Sequence, residues 1–295
     1  MPIYLGKEQI IEVYGGQSRI NNIYVGQTGV YGESAPEIEL IDWTPDVIST
    51  FIWLDANDLD TLTIGPVRSG SGKNRVTDWN DKSGNGRHFY DPDLFDAPLL
   101  ISGDPLMNNL YTIEWTHDNE DRLYHELTST TSPDSWAGFF AYNQYDFTAD
   151  EQYLLDVEAG RVMFAAYDQS EADPGIYNGS SWVGHTTNDF TVGPQILEFV
   201  LDGASSGIYR NGLERASFDA GSPISFGATI GLGARFNQSY DSNLQGSIGE
   251  TIIVKGQVST DTRQKIEGYL AHKWGLESNL PADHPYKAEK PMISA

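Results

Sequence analysis

Two loops of this sequence concentrate oxygen-bearing side chains in a pattern that could hold a metal ion. The two sets are Asp55, Asn57, Asp58 and Asp60, and Asp78, Asn80, Asp81 and Asn85. Carboxylate and amide oxygens on loops are the ligands that Ca²⁺ requires. The same residue types also cap turns by bonding to their own backbone. Both interpretations stay open, with Asp78, Asn80, Asp81 and Asn85 as the candidate calcium ligands.

The sequence gives little indication of a cysteine, histidine or dinucleotide site. The chain has no cysteine, which rules out disulfides, thiolate zinc sites and cysteine nucleophiles. Its six histidines are dispersed, without the spacing of metal ligands. The glycines of residues 227–233 resemble a dinucleotide-binding loop only superficially, because the required strand–helix–strand context is missing.

The charge of the chain restricts its partners. Lys and Arg number 18 against 42 Asp and Glu, which gives a net charge of −24. Nucleic acids and anionic membranes are bound by basic surfaces, so neither is an expected partner. The sequence has no run of about twenty apolar residues, so we expect no membrane insertion. The first residues lack a basic and apolar leader, so we expect no secretory signal.

The elements that must position any site begin with a repeat of ten residues. Its three units are Ile3-Tyr4-Leu5-Gly6, Val13-Tyr14-Gly15-Gly16 and Ile23-Tyr24-Val25-Gly26. β-Branched and aromatic residues followed by Gly indicate short strands closed by turns, and such units cannot cover their own apolar faces. We predict that they anchor the chain or hold an oligomer together through Ile3, Tyr4, Val13, Tyr14, Ile23 and Tyr24. A β-meander laid on the main domain is the alternative.

The rest of the chain has the pattern of an all-β domain with one helix. Eight apolar or alternating runs are separated by turn residues, at 51–54, 110–115, 136–142, 153–157, 162–167, 196–201, 224–232 and 248–254. Asn211-Gly212 between two short runs is typical of a hairpin. Ser259 or Thr260 can cap a helix that ends before Gly275. Many short strands predict a β-sandwich or barrel, with the helix as a plug on one sheet edge or end.

Three motifs give this region a resemblance to a known family. They lie at Trp53–Asp58, at Val76–Gly86 and from Gly246 through Leu276, the last continuing into Asn279–Tyr286. With these residues the region resembles the concanavalin A-like (laminin-G type) lectin and glucanase domains of phage and environmental bacterial structural proteins. The resemblance implies an all-β, concanavalin A-like β-sandwich (jelly roll) over residues 47–287. The resemblance is specific at the two ends of this region, whereas residues 90–195 match only in the spacing of their strands.

The resemblance also implies carbohydrate binding by aromatic rings with hydrogen-bonding side chains beside them, at one end of the sandwich or on its concave sheet. The best match is the loop from Asp173 to Trp182. Tyr177 and Trp182 offer ring faces, and Asp173 and Asn178 offer polar contacts. In the alternative interpretation both aromatic side chains belong to the core at the start of a strand.

The same fold includes glucanases, so catalysis has to be argued from residues. A retaining glycosidase needs two carboxylates about 5 Å apart, and the resembled hydrolases present them on a Glu-x-Asp-x-x-Glu strand. The nearest arrangement in this chain is Asp156 with Glu158, which lacks a third carboxylate. We therefore expect no catalytic residues and a protein that is not an enzyme.

The N-terminal repeat resembles the short repeats that open many phage head and tail appendage proteins. The two resemblances together imply a virion protein with an anchoring segment (1–34), a linker (35–46), a lectin-like domain (47–287) and a C-terminal tail (288–295). We expect a homotrimer that is bound to other virion proteins through residues 1–34 and to a host surface glycan through the sandwich. The alternatives are a purely structural capsid decoration or tail component and, third, a polysaccharide depolymerase.

Overall fold

The computed structural model of the chain contains two compact units. It describes residues 3–5, 8–10, 14–15, 18–19, 24–25, 28–29, 40–91, 96–116, 121–128, 135–146, 151–157, 162–168, 174–178, 181–186, 189, 191–221, 229–235 and 243–294. Side chains are described from residue 40 onwards, except at residues 151 and 162–168. The first unit comprises Met1–Asp42 with Met292–Ala295, and the second comprises Trp43–Pro291.

The described residues form twenty-five strands and one α-helix. In chain order the strands are β1 Ile3–Leu5, β2 Glu8–Ile10, β3 Tyr14–Gly15, β4 Ser18–Arg19, β5 Tyr24–Val25, β6 Thr28–Gly29, β7 Leu40–Asp42, β8 Thr50–Asp55, β9 Leu62–Val67, β10 Asn74–Trp79, β11 Phe89–Tyr90, β12 Leu99–Asp104, β13 Leu110–Trp115, β14 Leu123–Glu126, β15 Trp136–Gln144, β16 Glu151–Val157, β17 Val162–Asp168, β18 Gly175–Asn178, β19 Trp182–His185, β20 Gly193–Leu201, β21 Ser206–Arg210, β22 Leu213–Phe218, β23 Thr229–Leu232, β24 Gly246–Lys255 and β25 Met292–Ser294. The helix, α1, runs from Thr260 to Trp274. Within the described ranges, no helix combines the length and the apolar character needed to cross a membrane.

The first unit consists of small two-stranded sheets. β1 pairs with β2, β3 with β4 and β5 with β6, and β7 pairs with β25. In each of the three hairpins a tyrosine faces the residue five positions later, as Tyr4↔Gln9, Tyr14↔Arg19 and Tyr24↔Gly29. The predicted β repeat is therefore confirmed as three hairpins in one register. The side chains of Ile3, Tyr4, Tyr14 and Tyr24, and all of Val13 and Ile23, lie outside the described residues, so their burial against another chain stays a prediction.

The second unit is an antiparallel β-sandwich, which confirms the predicted fold class. The first sheet has the order β12-β13-β24-β15-β20-β21-β22, with β8 beside β24 on the same edge as β13. The second sheet has the order β9-β10-β11-β14-β23-β16-β17-β18-β19. β10 also pairs with β12 through Arg75 and Leu99, and this pair joins the two sheets.

The core lies between the sheets and follows the alternation of the strands. Side chains of β20 such as Leu197 and Phe199 meet side chains of β23 and β16 such as Leu232 and Leu155, and all of these are fully buried. Because neighbouring residues of a strand point to opposite faces, the residues between these positions point away from the core. This alternation decides which side chains of each sheet are available for other contacts.

The helix begins and ends where the sequence predicts, but it lies elsewhere on the sandwich. The hydroxyl of Ser259 accepts a hydrogen bond from the Thr262 amide at 3.1 Å, and Gly275 ends the helix at a positive φ of 71°. α1 packs on the face of the first sheet that points away from the core, over β15 and β20. The prediction of a plug on a sheet edge or end is therefore wrong. A covered face explains why Phe139 and Ile252, which alternate with core residues, are also fully buried.

Candidate functional site

The face of the second sheet that points away from the core, which we call the outer face, carries the candidate site. Core residues such as Phe89, Leu123 and Ile176 alternate with residues that point to this face. Cross-strand partners share a face, so the strand register defines one row of positions across the sheet. In sheet order the row is Thr63, Asp78, Tyr90, Tyr124, Gly231, Asp156, Met163, Tyr177 and Trp182.

The structure brings Tyr177 and Trp182 together at one end of this row. They are direct cross-strand partners on β18 and β19, with ring centroids 5.7 Å apart and planes at 74°. Both side chains are half-buried. The segment predicted as a loop is therefore a hairpin, because the stretch from Gly175 to His185 pairs with itself. The neighbouring Ile176 fills the main core position, and the two rings are partly buried members of a small separate cluster around Tyr153.

Two further rings hold this pair in place. The buried Tyr153 of β16 packs against both Tyr177 and Trp182. The ring of His185 lies 4.8 Å from the Trp182 ring at a shallow angle of 34°. A side chain at Gly175 would collide with His185, since a Cβ there would stand 2.3 Å from the imidazole. Tight packing below and beside the two rings gives them a fixed orientation, which lowers the entropic cost of binding a ligand.

The predicted polar partners of these rings serve other purposes or lie outside the described part. Asn178 donates its side-chain amide to the Ala220 carbonyl at 3.1 Å, and its side-chain oxygen accepts from the Ser181 amide at 3.2 Å. Asn178 therefore closes the hairpin turn rather than facing the rings. Asp173 lies outside the described residues, as does Glu158.

A second aromatic pair, which the sequence did not predict, occupies the same row. Tyr90 of β11 and Tyr124 of β14 are cross-strand partners with ring centroids 4.9 Å apart and planes at 49°. Both rings are half-buried. Burial and the Glu126 carboxylate, which hydrogen-bonds the hydroxyl, raise the pKa of Tyr90. In the sequence each tyrosine simply follows an apolar residue, Phe89 or Leu123. This pattern does not show that the two strands are neighbours in the sheet.

Carboxylates lie on the same face between and beside the two pairs. Asp156 stands between the core residues Leu155 and Val157 and therefore points outward, although only 4% of it is exposed. Glu126 lies two strands away on β14 and is exposed. From strand spacing and rise, their Cα atoms are roughly 12 Å apart. Of these two carboxylates only Glu126 is exposed, so it is the acceptor that a ligand on the outer face could reach.

The proposed calcium ligands form turn networks instead of an open cation site. The Asp81 carboxylate accepts from the amides of Trp53, Ser83 and Arg87 at 2.9 to 3.1 Å and from the Ser83 hydroxyl at 2.6 Å. Asn85 donates its side-chain amide to the Thr50 carbonyl at 2.9 Å. These contacts fit the alternative in which the residues cap turns.

Some of the remaining candidate residues also have hydrogen-bond or ion-pair partners. Asp78 accepts a hydrogen bond from the Thr77 hydroxyl at 2.9 Å, and the backbone N–H of Asn80 donates to the Thr61 carbonyl at 2.8 Å. Asp55 forms ion pairs with Lys82 at 3.0 Å and Lys273 at 2.8 Å. Among the residues that the structure describes, no group of three or more His, Cys, Asp or Glu is arranged to hold a metal ion.

The family-like motifs come together around one buried carboxylate. Glu250 is fully buried on β24, and its two oxygens accept four hydrogen bonds. The donors are Trp53 Nε1 at 2.7 Å, Tyr269 Oη at 2.8 Å, Lys273 Nζ at 2.6 Å and Trp274 Nε1 at 2.9 Å. We call Glu250 and these four donors the Glu250 network. It holds α1 to the first sheet, so these motif residues stabilise the fold.

A second buried cluster lies further along the same helix. Glu198 of β20 and Glu267 of α1 are both fully buried and face each other. Arg263 forms an ion pair with Glu267 and stands 3.9 Å from Glu198, and His284 Nε2 lies 2.7 Å from Glu267. Burial and the neighbouring Glu267 charge raise the pKa of Glu198 well above its ordinary value. The protonated form of Glu198 is therefore favoured in the folded chain relative to an exposed glutamate.

Comparison with known proteins shows the fold. No protein-family model and no curated protein matches the sequence. The structure is similar to an arabinofuranosidase complexed with arabinofuranosyl-α-1,2-xylobiose, with a TM-score of 0.53 and 15% identity over 80% of this chain and 62% of that one. It is similar to a GH54 α-L-arabinofuranosidase soaked with a nitrophenyl arabinofuranoside, with a TM-score of 0.53 and 14% identity over 78% and 60%. For the binding domain of botulinum neurotoxin serotype G the TM-score is 0.48, with 10% identity over 75% and 51%.

These similarities correct the expectation that the chain is not an enzyme. The expectation that the chain is not an enzyme is wrong as an inference from this fold, because two of its structural neighbours are glycoside hydrolases. The missing Glu-x-Asp-x-x-Glu strand does not exclude catalysis by other carboxylates. The chain spans about three fifths of the length of these two hydrolases. Their β-sandwich is shared, and their activity does not transfer at this identity.

Proposed function

We propose that the chain binds glycans on the outer face of the second sheet. The observation that carries the proposal is the Tyr177–Trp182 pair, two half-buried rings held by Tyr153 on a sheet face that the helix leaves open. Aromatic rings combine a large apolar face with little conformational freedom, which suits them to bind the flat apolar side of a sugar ring. Sandwich domains of carbohydrate-active proteins share this fold.

Replacing Trp182 with alanine is expected to weaken glycan binding about thirtyfold or more, since a central aromatic contact contributes roughly 2 kcal/mol or more. The measurement is binding of the full chain to an oligosaccharide panel, with unfolding monitored in parallel. Trp182→Phe keeps a ring at the position and is the matched control, for which we expect a smaller loss. Equal binding by wild type and Trp182→Ala would contradict the proposal.

A second candidate function is glycoside hydrolysis at the same face. The observation that favours it is the presence of Asp156 and Glu126 on the outer face, two strands apart. Their Cα atoms are roughly 12 Å apart, and two carboxylates that flank the scissile bond are what a glycoside hydrolase needs. Release of new reducing ends from the bound members of the same panel tests this function directly.

We also propose that the chain acts in a virion, with residues 1–34 as an anchor that forms a trimer and the sandwich presented to a host surface glycan. The three hairpins in one register support an attachment segment, because two-stranded sheets of this size need a partner to be stable. Removing residues 1–34 is expected to convert a trimer into a folded monomer. Sedimentation of both forms measures this, and a truncated chain that remains trimeric would refute the anchor.

A further inference from the structure

The side chains of Tyr90 and Tyr124 do not belong to the core between the sheets. The adjacent residues Phe89 and Leu123 fill the core positions of β11 and β14. The two tyrosines therefore place their rings on the outer face, where each is half-buried and the two rings meet at 49°. Two amphipathic rings at a fixed angle on a sheet surface form the same kind of platform as the Tyr177–Trp182 pair.

The two aromatic pairs belong to one row but are too far apart for one sugar. Tyr124 and Tyr177 are separated by four strand-to-strand steps, through β23, β16 and β17. At the usual strand spacing this corresponds to roughly 19 Å. A monosaccharide or a disaccharide on one pair would not reach the other. A longer chain that runs across the strands could contact both if it spans the buried positions Gly231 and Asp156 between them.

The charges around the new pair favour an uncharged ligand. The Glu126 carboxylate hydrogen-bonds the Tyr90 hydroxyl, and Asp78 is the other cross-strand neighbour of Tyr90. The cation that acts on Tyr124 is Arg122, and it forms an ion pair with Asp96 at 3.4 Å. Carboxylates accept hydrogen bonds from sugar hydroxyls but repel carboxylated or sulfated sugars. The net charge of −24 acts in the same direction.

We propose that Tyr90 and Tyr124 form a second glycan subsite and that the ligand is a neutral oligosaccharide long enough to bind both aromatic pairs. This inference rests on the proposed glycan binding and adds to it the length and the charge class of the ligand. Two linked subsites gain through effective concentration, because the second contact becomes intramolecular once the first has formed.

Binding of a ladder of oligosaccharides to the full chain tests the inference. The probes are disaccharides and hexasaccharides of arabinan, xylan, β-glucan and mannan, with sialylated and uronic-acid hexasaccharides as the acidic set. The variants are the double replacement Tyr90→Ala with Tyr124→Ala and, as the matched control, Tyr90→Phe with Tyr124→Phe, which keeps both rings. Unfolding curves of each variant show whether the sandwich is intact.

We expect a neutral hexasaccharide to bind about tenfold or more tightly than its disaccharide. The double alanine variant should bind both lengths alike, and the double phenylalanine variant should keep most of the difference. Equal binding of both lengths by wild type, or an unchanged preference in the alanine variant, overturns the second subsite while glycan binding stands. Tighter binding of the acidic set overturns the charge class. Binding of no probe at all overturns the proposed function and this inference together.

Discussion

Replacing Glu250 with alanine is expected to lower the free energy of unfolding by about 3–5 kcal/mol, the usual cost of breaking a buried ion pair by removing one partner. The substitution would leave the buried donors Trp53 Nε1 and Trp274 Nε1 without their acceptor. It would also remove one of two carboxylates that neutralise Lys273, with Asp55 remaining at 2.8 Å. Because the network joins the helix to β24, we expect the whole sandwich to lose stability.

Urea unfolding of three variants measures this effect. Glu250→Gln keeps the shape and two acceptor positions but loses the charge, so its loss should be intermediate. Asp261→Ala breaks the exposed helix ion pair with Lys265 and is the control, with an expected cost of about 0.3–0.5 kcal/mol. If Glu250→Ala costs no more than this control, the network does not hold the helix to the sheet.

Asp55, which pairs with Lys273 of the Glu250 network, responds to acid. Burial acts to raise the pKa of Asp55, but the positive charges of Lys273 and Lys82 outweigh it and hold that pKa below its ordinary value. A carboxylate of this kind contributes stability above its ordinary pKa and loses it as the pH falls through the lowered value. The contribution of Asp55 is therefore present at neutral pH and disappears only in strong acid.

The Glu250 network shows what a motif in the sequence does and does not reveal. Trp53, Glu250 and Trp274 lie in the segments that resemble a lectin and glucanase family, and that resemblance correctly predicted the sandwich. The structure places these side chains between helix and sheet, away from the outer face. These motif residues are the ones that hold the helix on the first sheet. They give no information about the ligand.

Local signals predicted the local structure well. Asn211 and Gly212 both have positive φ, 50° and 78°, as the hairpin turn between β21 and β22 requires. Ser259 caps the helix as predicted. In the candidate site, Tyr177 and Trp182 stand out from sequence as two aromatic residues five positions apart in one short segment, although the sequence predicts a loop there and not a hairpin.

The other half of the outer face could not be predicted, for a topological reason. Tyr90 and Tyr124 are 34 positions apart in the sequence, and their pairing depends on the register of β11 with β14. A register shift of one residue would exchange the tyrosines for Phe89 and Leu123 and reverse the face. Register between distant strands is set by the packing of the core, which periodicity alone does not show. The same limit hid the position of Asp156 relative to Glu126.

We expect the free energy of unfolding of the wild type to fall as the pH rises because of Glu198. Replacing Glu198 with glutamine is expected to abolish this pH dependence. The carboxyl of Glu198 faces Glu267 in full burial, with Arg263 on the helix, His284 beyond its end and Tyr209 on β21 as the other charged or titratable groups nearby. Its raised pKa means that the folded chain keeps this proton while the unfolded chain releases it. Below the ordinary pKa both states are protonated, and the stability is fully present. Above it the stability falls with rising pH until the raised pKa of the folded state is passed.

The amide of glutamine keeps the hydrogen-bonding shape of a protonated carboxyl but has no proton to lose. Unfolding curves are measured from mildly acidic to alkaline pH. The free energies of unfolding of wild type and Glu198→Gln should nearly coincide in acid and differ increasingly as the pH rises. The variant should become the more stable by roughly 1.4 kcal/mol for each unit of pKa shift. Glu214→Gln, an exposed carboxylate bonded to Tyr209, is the control and should follow the wild-type curve. If Glu198→Gln also follows that curve, the pKa of Glu198 is not raised in the folded chain, and its carboxylate is ionised beside Arg263.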